Sequence, residues 1–122
     1  MSYSDNQEKL VISNTGTTPT LYQWQVVSVS SNTVLTASSY PNTYDVIILA
    51  NANAGNVTIT LPQASTVPNR KFTVKRIDGQ QLTYNLIIDA TSSIIEDQTS
   101  VAITRIFSSL TFVSNGTQYY II

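Results

Sequence analysis

The chain has 122 residues, with six Lys and Arg against seven Asp and Glu, a formal net charge of -1 and only 11% charged residues. This length indicates one domain with a small core, and the lack of a basic excess argues against nucleic-acid binding, which needs cations to neutralise phosphates. The chain has neither cysteine nor histidine, which excludes disulfides, thiolate metal sites and the commonest general base.

Residues 1–35 are less regular than the rest, and we treat them as a separate N-terminal segment that attaches the domain to another protein or exchanges between subunits. Short strand candidates occur at residues 9–13 and 33–37. Residues 21–28 alternate, which predicts a strand with Tyr22, Trp24 and Val26 on one face.

Residues 36–122 form the main predicted domain and carry the clearest strand patterns. In residues 57–61 every second side chain is apolar, and Pro62 ends the strand because proline cannot donate to a ladder. Residues 45–50 are apolar after Asp45 and rich in β-branched side chains, which predicts a strand buried on both faces. Residues 71–75 alternate again, with Phe72 and Val74 opposite Lys71, Thr73 and Lys75.

The C-terminal hairpin is the best-specified local element. Asn115 and Gly116 lie between two alternating runs, and this dipeptide favours a two-residue type I′ turn. Such a turn places Phe112 opposite Tyr119. The predicted core face then comprises Leu110, Phe112, Tyr119 and Ile121, and the outward face comprises Thr111, Val113, Gln118 and Tyr120.

The whole chain predicts an all-β fold. About ten strand candidates follow one another at spacings of about 8–12 residues, which is typical of a sandwich or barrel. No run has the length and period of a long helix. We therefore expect a small antiparallel β-sandwich or barrel, jelly-roll-like, with no long helix.

The sequence offers no catalytic constellation. Glu96 and Asp97, with Asp89 nearby, are the only acidic cluster of residues 36–122, and a glycosidase would need two such carboxylates to converge. Adjacent residues on a strand point to opposite faces, so this pair is poorly placed to do so. We expect no enzymatic activity, no cofactor and no metal site.

Two groups of side chains are candidates for an interface or a ligand surface. Four of the six basic residues fall within residues 70–76, where alternation puts Lys71 and Lys75 on one face. Aromatic and apolar residues at strand positions form the second group, since Tyr and Trp are enriched at interfaces. The candidate surface residues are Tyr22, Trp24, Lys71, Lys75, Val113 and Tyr120.

Residues 36–122 resemble a β-rich domain of phage and virus fibres, spikes and other virion surface proteins. The segments that carry the resemblance follow in the same order in both, and this order is more specific than any one of them. They are residues 38–40, 44–49, 54–62 (AGNVTITLP), 69–78 (NRKFTVKRID), 86–89, 94–97 and 113–122 (VSNGTQYYII). The chain departs from the family pattern at Gln98, where a glycine is usual, and at Tyr119, where a tryptophan is usual.

The resemblance implies a structural virion-surface module, often an intertwined homotrimer, that attaches to another virion protein and contributes to binding a host glycan or receptor. It supplies no catalytic residues. No apolar run reaches the roughly 18 residues of a membrane helix, and the N-terminus lacks the basic and apolar regions of a secretory signal. We thus expect synthesis in a host cytoplasm without a signal peptide and no membrane insertion. The alternative is a free-standing, lectin-like carbohydrate-binding module.

Overall fold

The computed structural model describes residues 23–40, 44–79, 83–90 and 93–122. These residues contain nine strands and one short 3-10 turn. Tyr22 and the strand candidate at residues 9–13 lie outside these ranges. The strands are β1 (Gln23–Val29), β2 (Thr33–Val34), β3 (Tyr44–Ala50), β4 (Val57–Thr60), β5 (Lys71–Arg76), β6 (Leu86–Asp89), β7 (Ser100–Ala102), β8 (Ser109–Ser114) and β9 (Tyr119–Ile121), and the turn spans Ala64–Thr66.

The strands form two sheets, and the chain alternates between them. The five-stranded sheet has the order β9-β8-β5-β3-β1 and the four-stranded sheet the order β2-β4-β6-β7. From β1 to β6, every strand lies in the opposite sheet from its predecessor, so the chain winds through successive coils. The winding ends after β6. Strand β7 then adds to the four-stranded sheet beside β6, and β8 and β9 add to the five-stranded sheet beyond β5. Residues 23–34 of the N-terminal segment thus supply one strand to each sheet.

The strand directions follow from this winding. A chain that crosses to the other sheet and returns re-enters the first sheet in its original direction. β1–β3, β3–β5, β2–β4 and β4–β6 are accordingly parallel, whereas β5–β8, β8–β9 and β6–β7 are antiparallel. The all-β prediction is confirmed, and two facing sheets are consistent with a sandwich, but the expected antiparallel pairing is wrong for four of these seven pairs.

One hydrophobic cluster fills the space between the sheets. Val57 and Ile59 of β4 point into it from the four-stranded sheet, and Phe72 and Val74 of β5 from the five-stranded sheet, all at most 1% exposed. Alternation in the sequence therefore gives the correct inward face for both strands. The prediction that residues 45–50 are buried on both faces is wrong, because Ile47 and Leu49 are half-buried on the outward face.

The C-terminal hairpin keeps its predicted faces but has a different register. Phe112 and Tyr119 are fully buried, and Leu110 and Ile121 pack against the core from half-buried positions. However, Tyr119 pairs with Ser114 rather than with Phe112. The Asn115 Oδ1 accepts hydrogen bonds from the N–H groups of Thr117 and Gln118, which makes a four-residue loop. The register shifts by two residues, so no side chain changes face.

Tyr119 ties the two sheets together. Its hydroxyl donates to the Pro62 carbonyl at 2.6 Å, and its ring meets Phe72 edge-to-face with centroids 6.4 Å apart. Burial raises the pKa of the Tyr119 hydroxyl, so the group remains a neutral donor. A buried tyrosine needs such a partner, because an unpaired hydroxyl in the core costs about 1–3 kcal/mol.

A buried arginine holds the end of β5. Arg76 is only 2% exposed and forms an ion pair with Asp78, with its Nε 3.0 Å from both carboxylate oxygens. It also donates to the Ile103 carbonyl at 2.6 Å and to the Tyr84 carbonyl. Burial acts to raise the pKa of Asp78, but hydrogen bonds from Arg76 and from backbone groups, with the charge of Arg76, hold it below its usual value.

Replacing Phe112 by Ala should lower the free energy of unfolding by about 3–5 kcal/mol, the usual cost of removing a fully buried phenylalanine. Val113→Ala is the matched control, because Val113 is the next residue of β8 and faces outward; its cost should stay near or below about 1 kcal/mol. Chemical denaturation measures both values. Equal losses for the two variants would mean that the inward face of β8 is misassigned.

The ion pair between Arg76 and Asp78 should make the free energy of unfolding depend on pH in the acid range. Because the folded-state pKa of Asp78 is depressed, its stabilisation is present above the unfolded pKa and is lost as the pH falls through the folded value. Asp78→Asn should cost about 3–5 kcal/mol at neutral pH, since it leaves a buried guanidinium without its counter-charge. The variant should also lose less stability than the parent on acidification, as measured by denaturation at several pH values. Parallel pH profiles would contradict this role.

Candidate functional site

Five of the six candidate surface residues lie on the solvent-facing side of the five-stranded sheet, called here the outer face. Trp24, Lys71, Val113 and Tyr120 follow one another across the sheet in a single row, because the strand registers pair Lys71 with Val113 and Val113 with Tyr120, and Trp24 with Asp45. Lys75 lies one row from the far end. The outer face comprises Trp24, Val26, Ser28, Asp45, Ile47, Leu49, Lys71, Thr73, Lys75, Ser109, Thr111, Val113, Tyr120 and Ile122.

Apolar side chains are most exposed along the two edges of this face. Trp24 and Val26 on β1 are each 55% exposed, and Tyr120 and Ile122 at the opposite edge are 39% and 69% exposed. Between the edges, the outward-facing residues of β3, β5 and β8 are half-buried by their neighbours, except the buried Asp45 and the exposed Ser109. Exposed apolar side chains grouped on one face of a sheet are typical of interaction surfaces.

The opposite face of the molecule has a different composition. The outward positions of β4, β6 and β7 are mostly small or polar, and the apolar side chains among the outward positions of the four-stranded sheet are Val34, Ile87 and Ala102. The polar members are Thr58, Thr60, Asp89 and Ser100. The two faces therefore differ mainly in size and kind of apolar side chain, because Trp24 and Tyr120 of the outer face have no aromatic counterpart at these positions.

A tight acidic turn closes the β9 edge of the five-stranded sheet. The Tyr119 N–H donates to the Ile94 carbonyl at 2.9 Å, and the Glu96 N–H donates to the Tyr119 carbonyl at 3.1 Å. The Glu96 carboxylate in turn accepts the Ile121 N–H at 2.9 Å. Glu96 and Asp97 both have positive φ, at 47° and 72°. Glu96 therefore serves the backbone of β9, and this arrangement gives no support to a catalytic acid pair.

Asp45 lies beneath the outer face as a buried carboxylate. It is 3% exposed, its Oδ1 accepts the Lys71 N–H at 3.1 Å, and its Oδ2 has no hydrogen-bond partner among the residues that the structure describes. The positive charge of the nearby Arg70 compensates part of the free-energy cost of burying the Asp45 carboxylate. Burial lowers the pKa of Arg70, and the Asp45 carboxylate acts in the opposite direction, so Asp45 favours the charged form of Arg70.

Phe107 is an exposed aromatic residue that the sequence analysis did not identify. It is 61% exposed and has a φ of 61°, a conformation that bulky side chains rarely adopt. Its N–H donates to the Arg76 carbonyl at 2.7 Å, and its carbonyl accepts a hydrogen bond from the Lys75 Nζ at 2.9 Å. The same Nζ lies 5.9 Å from the Phe107 ring centroid. Lys75 and Phe107 thus form a fixed pair at one end of the outer face.

Two concave regions lie away from the centre of the outer face. The larger, an open groove of about 470 Å³, runs beside β2 between residues 34–38 and residues 60–66. Its lining carries the hydroxyls of Thr36, Ser38, Thr60 and Thr66 but no charged or aromatic side chain. The smaller, of about 160 Å³, lies between residues 102–105 and residues 108–110.

Searches for larger-scale functional features gave little to add. In the described ranges, no three acidic side chains are grouped so that they could hold a metal ion. None of the described segments forms a helix long and apolar enough to cross a membrane. No protein-family model matches the chain, and no curated protein matches it. The functional argument therefore rests on the residues themselves.

The strain at Phe107 can be measured directly. Phe107→Gly and Phe107→Ala remove the same ring and the same contact with Lys75, but only glycine adopts positive φ without steric cost. We expect the Gly variant to be more stable than the Ala variant by about 1 kcal/mol. Thermal or chemical denaturation compares them. An Ala variant at least as stable as the Gly variant would show that residue 107 does not hold a left-handed conformation.

Proposed function

We propose that this chain is a structural module of a virion surface, such as a fibre, spike or capsid decoration, and that it assembles into a homotrimer through the outer face. The exposed apolar and aromatic side chains of that face are the observation that carries the proposal. Burying such side chains stabilises an assembly by about 25 cal/mol for each Å² removed from water. The composition of the four-stranded sheet offers no comparable surface.

The closed β9 edge also supports association through side chains rather than strand addition. Open sheet edges invite pairing with other chains, and charged side chains commonly protect them. This chain has few charges, but residues 94–96 already satisfy backbone groups of β9. A partner that approaches from this side meets Tyr120 and Ile122, whose side chains suit a packed contact.

The threefold order, the virion location and the attachment role come from the family resemblance. The role of the N-terminal segment in attachment or subunit exchange stays a prediction, although Val29 and Leu35 of this segment belong to the core. Host receptor binding also stays a prediction. A jelly-roll-like arrangement is not part of the proposal, because a jelly roll is built from antiparallel Greek keys and four strand pairs here are parallel.

A lectin-like carbohydrate-binding module is the second candidate. The groove beside β2 favours it, because uncharged hydroxyl groups above an apolar floor suit a neutral sugar. The absence of an aromatic ring from the groove lining weighs against it, since sugars commonly stack on such rings. Binding of neutral glycans by an isolated monomer on a glycan array would favour this candidate over the assembly.

Sedimentation at low micromolar concentration tests the assembly, and we expect a particle of about three times 13.4 kDa. Tyr120→Lys should weaken it by more than tenfold, because it places three added cations in the interfaces. Tyr84→Lys is the matched control, since Tyr84 is also 39% exposed but lies outside the outer face. A monomeric parent protein, or equal effects of the two variants, would contradict the proposed interface.

A further inference from the structure

We propose that each contact of this trimer contains an ion pair between Lys71 of one copy and Asp97 of the next. The inference rests on the proposed function, because it specifies how the copies contact each other. The proposed partner of the outer face is a second copy of the same chain.

Lys71 forms no ion pair with the other described residues of its own copy. It is half-buried at one end of the outer face, between the strands that carry Asp45 and Val113. Its N–H donates to Asp45, but the salt bridge found within the described residues joins Arg76 to Asp78 instead. Burying the Lys71 ammonium against an apolar neighbour would be costly unless that neighbour supplied an anion.

Asp97 is an anion that the same edge presents to solvent. The neighbouring Glu96 is occupied by the Ile121 N–H, whereas no hydrogen bond or ion pair engages the Asp97 carboxylate within the described ranges. The residue is exposed, and its φ of 72° places it at the tip of the tight turn beside β9. A carboxylate held on a closed turn loses little conformational freedom when it forms a contact.

Lys71 and the turn that carries Asp97 lie on opposite sides of β8 and β9, too far apart for the two charges to pair within one copy. From Lys71 the row passes Val113 and Tyr120 and reaches the acidic turn, where Ile95 bridges to Tyr119. Three strand spacings give a separation of roughly 14 Å. The cation therefore lies on the face and the anion at its edge.

Cyclic trimers use contacts in which one surface of a copy meets a different surface of the next. The outer face has this asymmetry, because its two apolar edges differ and its cations and the acidic turn are separated. When the β9 edge of one copy packs on the neighbouring face, Asp97 approaches Lys71 and Tyr120 packs beside them. Every copy then uses its Lys71 once and its Asp97 once, so three ion pairs close the ring.

Lys75 provides an internal comparison. It lies on the same strand and the same face, four residues from Lys71, but its Nζ bonds to the Phe107 carbonyl at the other end of the sheet. Loss of its charge changes the net charge by the same amount as loss of the Lys71 charge. The two lysines therefore separate a specific ion pair from a general effect of charge on association.

A double-mutant cycle on the trimer dissociation constant tests the pair, using Lys71→Gln and Asp97→Asn. Asparagine tolerates positive φ, so the turn should remain intact. We expect each single variant to weaken assembly about tenfold, as close interfacial charge pairs do, and the double variant to be no weaker than either single. Combining Lys75→Gln with Asp97→Asn should instead multiply the two separate effects.

Charge reversal gives a second measurement. Lys71→Glu and Asp97→Lys should each dissociate the trimer further, and their combination should restore assembly to within about threefold of the parent protein. A trimeric parent whose Lys71 and Asp97 effects simply multiply would overturn the ion pair and leave the assembly standing. A monomeric parent would overturn both. Circular dichroism on every variant separates lost assembly from lost folding.

Discussion

The architecture depends on a cation buried at the point where the chain changes direction. Alternation along β5 places Arg76 on the inward face, beside Phe72 and Val74, where a guanidinium without partners would be very costly. Asp78 neutralises it, and the carbonyls of Ile103 and Tyr84 take further donors. The Arg76 carbonyl also accepts the Phe107 N–H. Arg76 thus fixes the loop before β6 and the loop after β7. The winding ends at these strands, and the pairs β6–β7, β5–β8 and β8–β9 are antiparallel.

Side-chain alternation made the faces of the strands predictable, whereas their partners were not. A period of two shows which residues share a face, and this information survives the shift of two residues in the C-terminal hairpin. It does not show which sheet a strand joins. Between β1 and β6, each strand is separated in the sequence from its partner by one strand of the other sheet. The parallel directions of these pairs therefore depend on non-local packing. The apolar run at residues 45–50 was the available signal, since parallel strands read as continuous hydrophobic stretches.

Some residues of the candidate site could likewise be predicted from the sequence, and others could not. Trp24, Lys71, Lys75, Val113 and Tyr120 could be grouped from the sequence because each sits on the outward parity of a strand. Phe107 and Asp45 could not. Nothing in the sequence indicates that a phenylalanine adopts positive φ, since this depends on the Arg76 carbonyl and the Lys75 ammonium. Asp45 reads as a strand-end residue, and its burial becomes apparent only when the neighbouring strands are in place.

Few charges give each remaining charge a larger role in deciding which contacts form. A surface with many lysines repels copies of itself, but the central cations of the outer face are only Lys71 and Lys75, and Phe107 occupies the second of them. Residues 94–96 close the β9 edge against strand addition, so a neighbour at this edge would meet side chains rather than free backbone groups. The apolar edges favour contact without specifying its geometry. The charged groups supply that geometry, because a neighbour that leaves Lys71 buried beside an apolar surface loses more in desolvation than its packing gains.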